Sequence, residues 1–181
     1  MPPESIEKLV SEFCRNAERA AATVERVQAD SEPVRRALKR ATAGAEHVLL
    51  APPLGLAPGL LDGFRREPNV VSNPSGEELK TIRAGVTEAF CGVASTGSVC
   101  VSLEGGTGGP ISMLTRVHVV LLDARTIVPR PGDLFSPQGG RVKPPGAGSF
   151  TFITGPSATA DMGPLVRGVH GPGRLHIIIL E

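Results

Sequence analysis

The sequence contains no tryptophan and no tyrosine, and its aromatic residues are limited to six phenylalanines. A surface that stacks nucleobases needs several aromatic rings, and so few residues do not suggest one. The net charge is only +1, so the strong positive field of a nucleic-acid-binding protein is also missing. Both deficits argue against nucleic acid as a partner.

Cysteine is scarce as well, and Cys14, Cys91 and Cys100 form no CxxC motif and no close cluster. A structural zinc site or an iron–sulfur centre needs about four closely placed ligands. The four histidines are scattered and show no metal-ligand spacing. We therefore expect no metal and no cofactor. An odd number of cysteines argues against a disulfide framework, so we interpret all three as small buried apolar residues.

Long apolar runs are absent too: no stretch of about eighteen apolar residues occurs, so the sequence has no candidate membrane span. Residues 1–13 carry acidic side chains where a signal peptide would have an apolar core. We accordingly expect a cytoplasmic protein. With 181 residues, 40% of them apolar, the chain is long enough to build one domain around a substantial core.

Apolar side chains recur every three or four positions in residues 4–28, which predicts a long amphipathic helix. Ser31 can cap a second helix, whose predicted inner face consists of Val34, Ala37, Leu38 and Ala41. No strand pattern separates the two helices. We therefore predict an N-terminal helical hairpin over residues 1–45, packed on an α/β domain over residues 46–181 within one structural domain. An interaction surface is the alternative role of the hairpin.

Strand and helix patterns alternate along the rest of the chain. Apolar runs predict strands at residues 47–51, 70–72, 98–103, 117–122, 126–128 and 150–154, and a last strand, LHIIILE, for the sheet interior. Residues 58–67 suggest a short helix, and the capping box at residues 75–78 predicts a helix that runs to Ala94. Residues 123–125 are interpreted as the turn of a hairpin, which makes the sheet mixed.

A glycine-rich loop, residues 105–109, directly follows the predicted strand at 98–103. Such a loop can bring backbone N–H groups to a phosphate or carboxylate, which makes Gly105 and Gly106 candidate anion-binding residues. The loop has neither the Lys-Ser/Thr ending of a Walker loop nor a GxGxxG pattern, so a plain flexible loop is the alternative.

Proline and glycine also dominate residues 129–148, which predicts a surface loop. Arg130, Arg141 and Lys143 would allow this loop to close on an anion as a lid. The charge pattern favours an anion as well. Residues 1–104 carry 12 basic and 14 acidic residues, whereas residues 105–174 carry 7 basic and 3 acidic residues. The positive second region suits a small anion or an acidic partner.

Polar groups concentrate in residues 149–172, which we interpret as a strand, a tight turn and a helix. Gly155-Pro156 ends the strand, Ser157 or Thr159 can cap the helix, and Asp161 falls in its first turn. In open α/β sheets, such strand-to-helix turns lie at the carboxyl ends of strands, where these proteins bind ligands. The candidate binding residues of this segment are Thr154, Gly155, Ser157, Thr159 and Gly171.

His170, which lies between glycines, is the best candidate for chemistry because imidazole can act as an acid or a base near neutral pH. Asp161 is the candidate partner that would assist it or orient a substrate hydroxyl. The alternatives are structural: His170 would cap a carbonyl or orient the turn, and Asp161 would only complement a helix dipole. His47, His118 and His176 are interpreted as satisfied structural residues in or beside strands.

Several of these segments resemble the lactate-utilisation protein C family (LutC/YkgG), which is defined by the LUD domain. The motifs that carry the resemblance are FITGPS at 152–157, TAD at 159–161 and GVHGP at 168–172, preceded by GVTEA at 85–89, STGS at 95–98, SML at 112–114 with His118, and IVP at 127–129. The resemblance covers residues 75–181. The chain departs from the family at Ala158, where Arg is common, and at Ser95, where Glu is usual.

The resemblance implies a sandwich fold similar to the NagB/RpiA/CoA-transferase group, with a mostly parallel sheet flanked by helices. It also implies a non-redox part in oxidising L-lactate to pyruvate, beside the lactate-utilisation proteins A and B that carry the iron–sulfur centres. The alternative is a small-molecule enzyme of the isomerase, CoA-transferase or cyclo-ligase type. Such an enzyme would act on a phosphorylated or carboxylated substrate, and His170 would move a proton.

Overall fold

Helices and strands alternate along most of the chain in the computed structural model, which describes residues 5–104, 106–135, 148–161 and 163–181. The helices are α1 (Ile6–Arg19), α2 (Ser31–Ala41), α3 (Asp62–Arg65), α4 (Gly76–Thr81) and α5 (Gly108–Leu114). The strands are β1 (Thr23–Val27), β2 (Val48–Leu50), β3 (Val70–Val71), β4 (Ala84–Val93), β5 (Ser98–Ser102), β6 (Val117–Asp123), β7 (Ile127–Val128), β8 (Phe150–Ile153), β9 (Ala158–Thr159), β10 (Val166–Arg167) and β11 (Arg174–Leu180).

The main sheet is built on six strands in the order β1-β11-β6-β4-β2-β3, and each neighbouring pair is parallel. β4 is the longest strand. Its first half pairs with β2 and β6, and its second half pairs with β7 and, in antiparallel fashion, with β5. β8 continues this side of the sheet by pairing with β5. The structure confirms the predicted α/β class with a mostly parallel, mixed sheet flanked by helices.

Helices cover both faces of the parallel strands, which explains why those strands are apolar on both sides. The inner face of α1, including Val10 and Phe13, packs on Ile177 of β11 and its neighbours. The inner face of α2 packs on the opposite side, where Ile178 contributes to the core. All four predicted inner-face residues of α2 are buried. β11 lies between β1 and β6, which confirms its predicted place inside the sheet.

The predicted N-terminal helical hairpin is wrong, because a strand separates its two helices. α1 ends at Arg19, and the backbone turns at Ala21, which has a φ of +67°. Residues 23–27 then form β1, which pairs in parallel with β11. The mixture of apolar and charged side chains in this strand also fits a helical period, so the sequence pattern continued without a visible break. The boundary at residue 45 stays a prediction.

The helix predicted from the capping box is much shorter than expected. α4 ends at Thr81, and the residues after Arg83 form β4, the central strand. Two glycines allow this strand to pack closely: a Cβ at Gly85 would lie 2.6 Å from Ile111 Cγ2, and one at Gly92 would lie 2.8 Å from Leu122 Cδ2. Because both faces of β4 are buried, its side chains do not alternate in polarity, and the prediction mistook a strand for a helix.

Two further sequence predictions of local structure are also wrong. β6 and β7 do not form a hairpin with each other, because both pair in parallel with β4 and are joined by a short 3-10 helix, Ala124–Thr126. The helix expected after Pro156 is instead the two-stranded antiparallel hairpin β9–β10. Gly163-Pro164, between these two strands, is incompatible with a helix interior.

The capping box itself is present and is open to a direct test. Ser75 Oγ accepts a hydrogen bond from Glu78 N at 3.3 Å, and Glu78 Oε2 accepts one from Ser75 N at 2.7 Å. We expect Ser75→Ala to lower the free energy of unfolding by about 1 kcal/mol, because the helix loses its side-chain cap. Ser75→Asp, which keeps an acceptor oxygen, should retain most of the stability. Urea denaturation would measure both changes, and equal losses in the two variants would contradict the prediction.

Candidate functional site

A cleft of about 250 Å³ opens beside the end of β8, where most of the predicted polar residues meet. The residues that line it are Ser112, His118, Phe152, Ile153, Thr154, Gly155, Pro156, Ser157, His170, Gly171, Pro172 and Leu175. His118 is the second residue of β6 and Leu175 the second residue of β11. The cleft thus lies at the amino ends of these two strands and at the carboxyl end of β8, the strand that the sequence analysis placed before the site.

Backbone contacts fold residues 154–157 against residues 168–172. Ser157 N donates to Pro172 O at 2.8 Å, and Gly168 N donates to Ser157 O at 2.9 Å. Gly155 has a φ of +74°, and a Cβ at this position would lie 2.0 Å from Ala20 O, so only glycine fits. These constraints bring the two halves of the predicted polar segment to one wall of the cleft.

Hydroxyl groups supply much of the polar character near this wall. Thr154 Oγ1 and Ser98 Oγ lie 2.6 Å apart, and Ser98 Oγ lies 2.7 Å from Thr96 Oγ1. Ser112, which also lines the cleft, donates from its Oγ to Gly109 O at 2.9 Å. Hydroxyls that already have partners are held in place, so they can present their remaining lone pairs to a ligand without reorganisation.

His118 is buried in the floor of the cleft, and only half of its hydrogen-bonding capacity is used. Its Nε2 lies 2.8 Å from Thr87 Oγ1, whereas its Nδ1 has no hydrogen-bond partner among the described residues. Burial lowers the pKa of His118 to about 3, so the imidazole is neutral at physiological pH. The prediction of a structural histidine holds for its burial, but the prediction that its polar atoms are satisfied is wrong.

His176 has a different environment on β11, next to β1. Its Nδ1 lies 2.7 Å from Thr23 Oγ1, and its Nε2 lies 3.5 Å from Glu25 Oε2, which is a long contact. Burial lowers the pKa of His176, while the nearby Glu25 carboxylate opposes this change. His176 does not belong to the residues that line the cleft, and its contacts are those of a structural residue.

Five of the predicted site residues converge on the cleft: Thr154, Gly155, Ser157, His170 and Gly171. Thr159 and Asp161 are not part of its lining. Asp161 is exposed and follows β9, so it does not lie in the first turn of a helix as predicted. Sequence reasoning did not select Ser112 or His118 as site residues, although both stand in a motif that carried the family resemblance.

Comparisons with known proteins agree with this architecture. A family model described as the LUD domain matches residues 60–180, a range that includes every residue of the cleft. The chain belongs to the LUD domain family. A crystal structure of a DUF162 family protein from Deinococcus radiodurans matches 99% of this LUD-domain chain, and all of that protein, with a TM-score of 0.69. At 20% identity, this match shows the shared fold.

Curated relatives of this LUD-domain chain carry the name lactate utilization protein C. The protein from Halalkalibacterium halodurans is 33% identical over 135 residues, which cover 68% of this chain and 57% of that protein. The protein from Bacillus pumilus is 32% identical over 96 residues, or 49% of this chain and 38% of that protein. The matches therefore span less than two thirds of the relatives' length.

The glycine-rich loop of the LUD domain lines a different cleft, of about 240 Å³. Gly105 lies outside the described residues, and Gly106 is exposed with a φ of +79°. Glu88 and Glu104 both line this second cleft, so their carboxylates would repel an anion. The arrangement does not favour the predicted role of the loop as an anion cradle, and none of the loop residues that the structure describes lines the His170 cleft.

A third and larger cleft, of about 580 Å³, lies at the carboxyl ends of β1, β6 and β11. Two arginines line it, and both are engaged in ion pairs. Arg26 contacts Glu7 at 2.8 Å and Glu181 at 2.7 Å, and Arg125 contacts Asp123 at 2.6 Å. Because each of these arginines is already paired with a carboxylate, the third cleft is less suited to an anionic ligand than its position at the carboxyl ends of the strands would suggest.

Three further expectations concern metal ions, membranes and the lid. Within the described ranges, no group of three or more His, Cys, Asp or Glu side chains is placed to hold a metal ion. No helix in the same ranges has the length and apolar character needed to cross a bilayer. Arg141 and Lys143 lie outside the described residues, so the lid stays a prediction.

Proposed function

We propose that this LUD-domain chain takes part in lactate utilisation, as a non-redox component of an iron–sulfur system that oxidises L-lactate to pyruvate. The observation that carries the proposal is the convergence of His170, Ser157 and Thr154 on one cleft within the matched family region. The shared name of the curated relatives, lactate utilization protein C, supports the same role.

The chemistry of the cleft suits a small hydroxycarboxylate. L-lactate offers one carboxylate and one hydroxyl, which need hydrogen-bond donors and acceptors at short range. The His170 imidazole can donate to a carboxylate, and the Ser157 and Thr154 hydroxyls can bond the ligand's hydroxyl. Glycine at position 171 leaves room for the ligand: a Cβ there would lie only 3.3 Å from Ser157 Cβ. We infer that His170 binds the ligand, whereas Asp161 is not among the residues that line the cleft and is not assigned that role.

We further propose that the chain works in contact with the iron–sulfur proteins A and B of the system. The hairpin β9–β10 and the residues that link it to His170 expose apolar side chains: Leu165, Val166 and Val169 are 62%, 52% and 51% exposed. Exposed apolar residues in one small element are typical of protein–protein contact sites. A contact at this hairpin would place the partner next to the cleft.

The alternative of an isomerase, CoA-transferase or cyclo-ligase has less support. That hypothesis required the glycine-rich loop and His170 to bind one phosphorylated or carboxylated substrate together. The loop's cleft carries two carboxylates and is separate from the His170 cleft. The observations therefore favour the lactate-utilisation role.

Growth on lactate tests the proposal directly. In a strain that lacks the protein, the wild-type gene should restore growth on L-lactate as sole carbon source. We expect the double variant His170→Ala/Ser157→Ala to restore growth clearly more slowly, because the loss of two hydrogen bonds, each contributing roughly 1 kcal/mol, weakens lactate binding about thirtyfold. Asp161→Asn, outside the cleft lining, should restore growth like the wild type.

Two measurements complete this experiment. Calorimetric titration should show L-lactate binding to the wild-type chain and weaker binding to the double variant, and circular dichroism should show that both are folded. Co-purification should recover the iron–sulfur proteins with the wild-type chain. A protein that is dispensable for growth on lactate and recovers neither partner would overturn the proposed function.

A further inference from the structure

Two of the three cysteines lie directly opposite each other in the antiparallel pair β4–β5. The register pairs Cys91 with Cys100, and both side chains are fully buried. A β-bulge produces this arrangement, because the register shifts between Ala89 and Cys91. As a result Phe90 and Cys91 face the same side of the sheet, where they join the cluster that contains Cys100.

The geometry of such a pair allows a covalent bond between the two sulfurs. Directly opposed residues in an antiparallel pair have Cα atoms about 4.5–5.5 Å apart, and a disulfide tolerates Cα separations of about 4.4–6.8 Å. The adjacent Cys91 side chain, together with burial, raises the pKa of the Cys100 thiol, and Cys91 Sγ donates to Gly92 O at 3.3 Å. The two side chains therefore lie side by side on adjacent strands, and the Cys100 thiol is protonated at neutral pH in the closed structure.

Among the described residues, part of the cover over the two thiols comes from a short local element. Their cluster is separate from the two cores that α1 and α2 cover, and it includes Leu134, with Phe150 packed against it. Phe135, which is 60% exposed, stacks on Phe150 with ring centroids 6.1 Å apart. Leu134 and Phe135 belong to a short 3-10 helix, Pro131–Phe135. Short elements of this kind open at a lower free energy than a sheet core, so opening would expose the thiols without global unfolding.

We propose that Cys91 and Cys100 form a redox-active dithiol, which is oxidised reversibly to a cross-strand disulfide by exchange with a low-molecular-weight disulfide. In the first step, one thiolate attacks a sulfur of oxidised glutathione, forms a mixed disulfide and releases one glutathione. In the second step, the other cysteine thiolate attacks the protein sulfur of that mixed disulfide and releases the second glutathione. The protein loses two protons and two electrons, and the disulfide reagent is reduced to two thiols.

Mass spectrometry of the native full-length chain tests this proposal. After incubation with oxidised glutathione at pH 8, free thiols are blocked with iodoacetamide and the chain is digested with trypsin. Both cysteines fall in one tryptic peptide, residues 84–116. We expect this peptide to be unalkylated and about 2 Da lighter than its reduced form, and dithiothreitol should restore two alkylation sites. The product should remain a single chain without attached glutathione.

Matched cysteine variants provide the controls. Cys14→Ser removes the third cysteine, which is half-buried on α1, and should leave the disulfide unchanged. Cys100→Ser should abolish it, and any oxidation of Cys91 should stop at the mixed disulfide. The proposal is overturned if peptide 84–116 of the Cys14→Ser chain stays fully alkylatable under conditions that oxidise the urea-unfolded chain. It is also overturned if the native chain accumulates only glutathione adducts.

Discussion

Gly97→Ala is expected to lower the free energy of unfolding by about 2–5 kcal/mol, the sum of a backbone cost and a steric cost. Gly97 has a φ of +66°, and a Cβ there would lie 2.1 Å from Ala17 N and 2.5 Å from Asn16 C. These are backbone atoms of α1, so no side-chain rotation can relieve the overlap. The turn after β4 would have to move away from the helix, and the hydrogen bond from Asn16 Nδ2 to Ala94 O, 2.8 Å long, would be stretched.

Gly44→Ala is the matched control for this prediction. Gly44 has a φ of +82°, and among the described residues no atom lies within 4 Å of the position that its Cβ would take. This variant therefore carries the backbone cost alone, about 1–2 kcal/mol. Urea denaturation of both variants separates the two contributions. Equal losses would show that the close approach of α1 to the turn is not a constraint on stability.

The second large effect is a loss of stability at acid pH that depends on His118. The folded-state pKa of about 3 lies below the unfolded value of about 6.5, so the unfolded chain binds a proton more readily between these limits. The stability contributed by the neutral imidazole is complete above pH 6.5 and is lost as the pH falls toward 3. Between pH 6.5 and pH 5, we expect a loss of about 2 kcal/mol from this group alone.

A comparison of His118→Gln with the wild type measures this dependence. Glutamine does not titrate, so the difference in unfolding free energy between pH 7 and pH 5 should be about 2 kcal/mol smaller in the variant. His176, whose pKa burial also lowers, contributes in the same direction and is present in both proteins. A pH dependence that is unchanged by His118→Gln would contradict the buried, neutral state of this histidine.

The helices and strands that the sequence predicted well are those whose apolar pattern fits a single period. α2 shows a clean helical stripe and was predicted with its buried face. β11 is so rich in β-branched residues that only a buried strand fits. The capping box identified the start of α4, because the hydrogen bonds of that motif are local in sequence.

The wrong secondary-structure predictions occur where the apolar residues fit both a helical period and a strand. In those segments, pairing with distant strands decides which structure forms. In β4, Val86, Phe90 and Val93 recur at spacings that also suit a helix, so the strand is decided by its four partner strands. The glycines at 85 and 92 were the available signal, since glycine disfavours a helix interior and marks close packing in a strand.

The candidate site was predictable in part for a related reason. The residues at 154–157 and 170–171 are close in sequence, and glycine turns alone suggested that they meet. Ser112 and His118 come from α5 and β6 and reach the same cleft through the strand order of the sheet. No pattern of neighbouring residues in the sequence predicts this strand order. The unpartnered Nδ1 of His118 was not predictable either, because the neighbours that surround this atom come from several elements.

The position of β11 has a consequence for biosynthesis. This strand inserts between β1 and β6, and Thr23 pairs with His176, more than 150 residues later. Until the ribosome has delivered residues 174–180, both neighbouring strands present unpaired edges, which are the parts of a nascent chain most prone to aggregate. The sheet is then completed by contacts between residues that lie far apart in the sequence, and proteins that depend on such contacts fold slowly as a rule. We therefore expect a greater need for chaperone protection during translation than in a protein whose sheet can form in chain order.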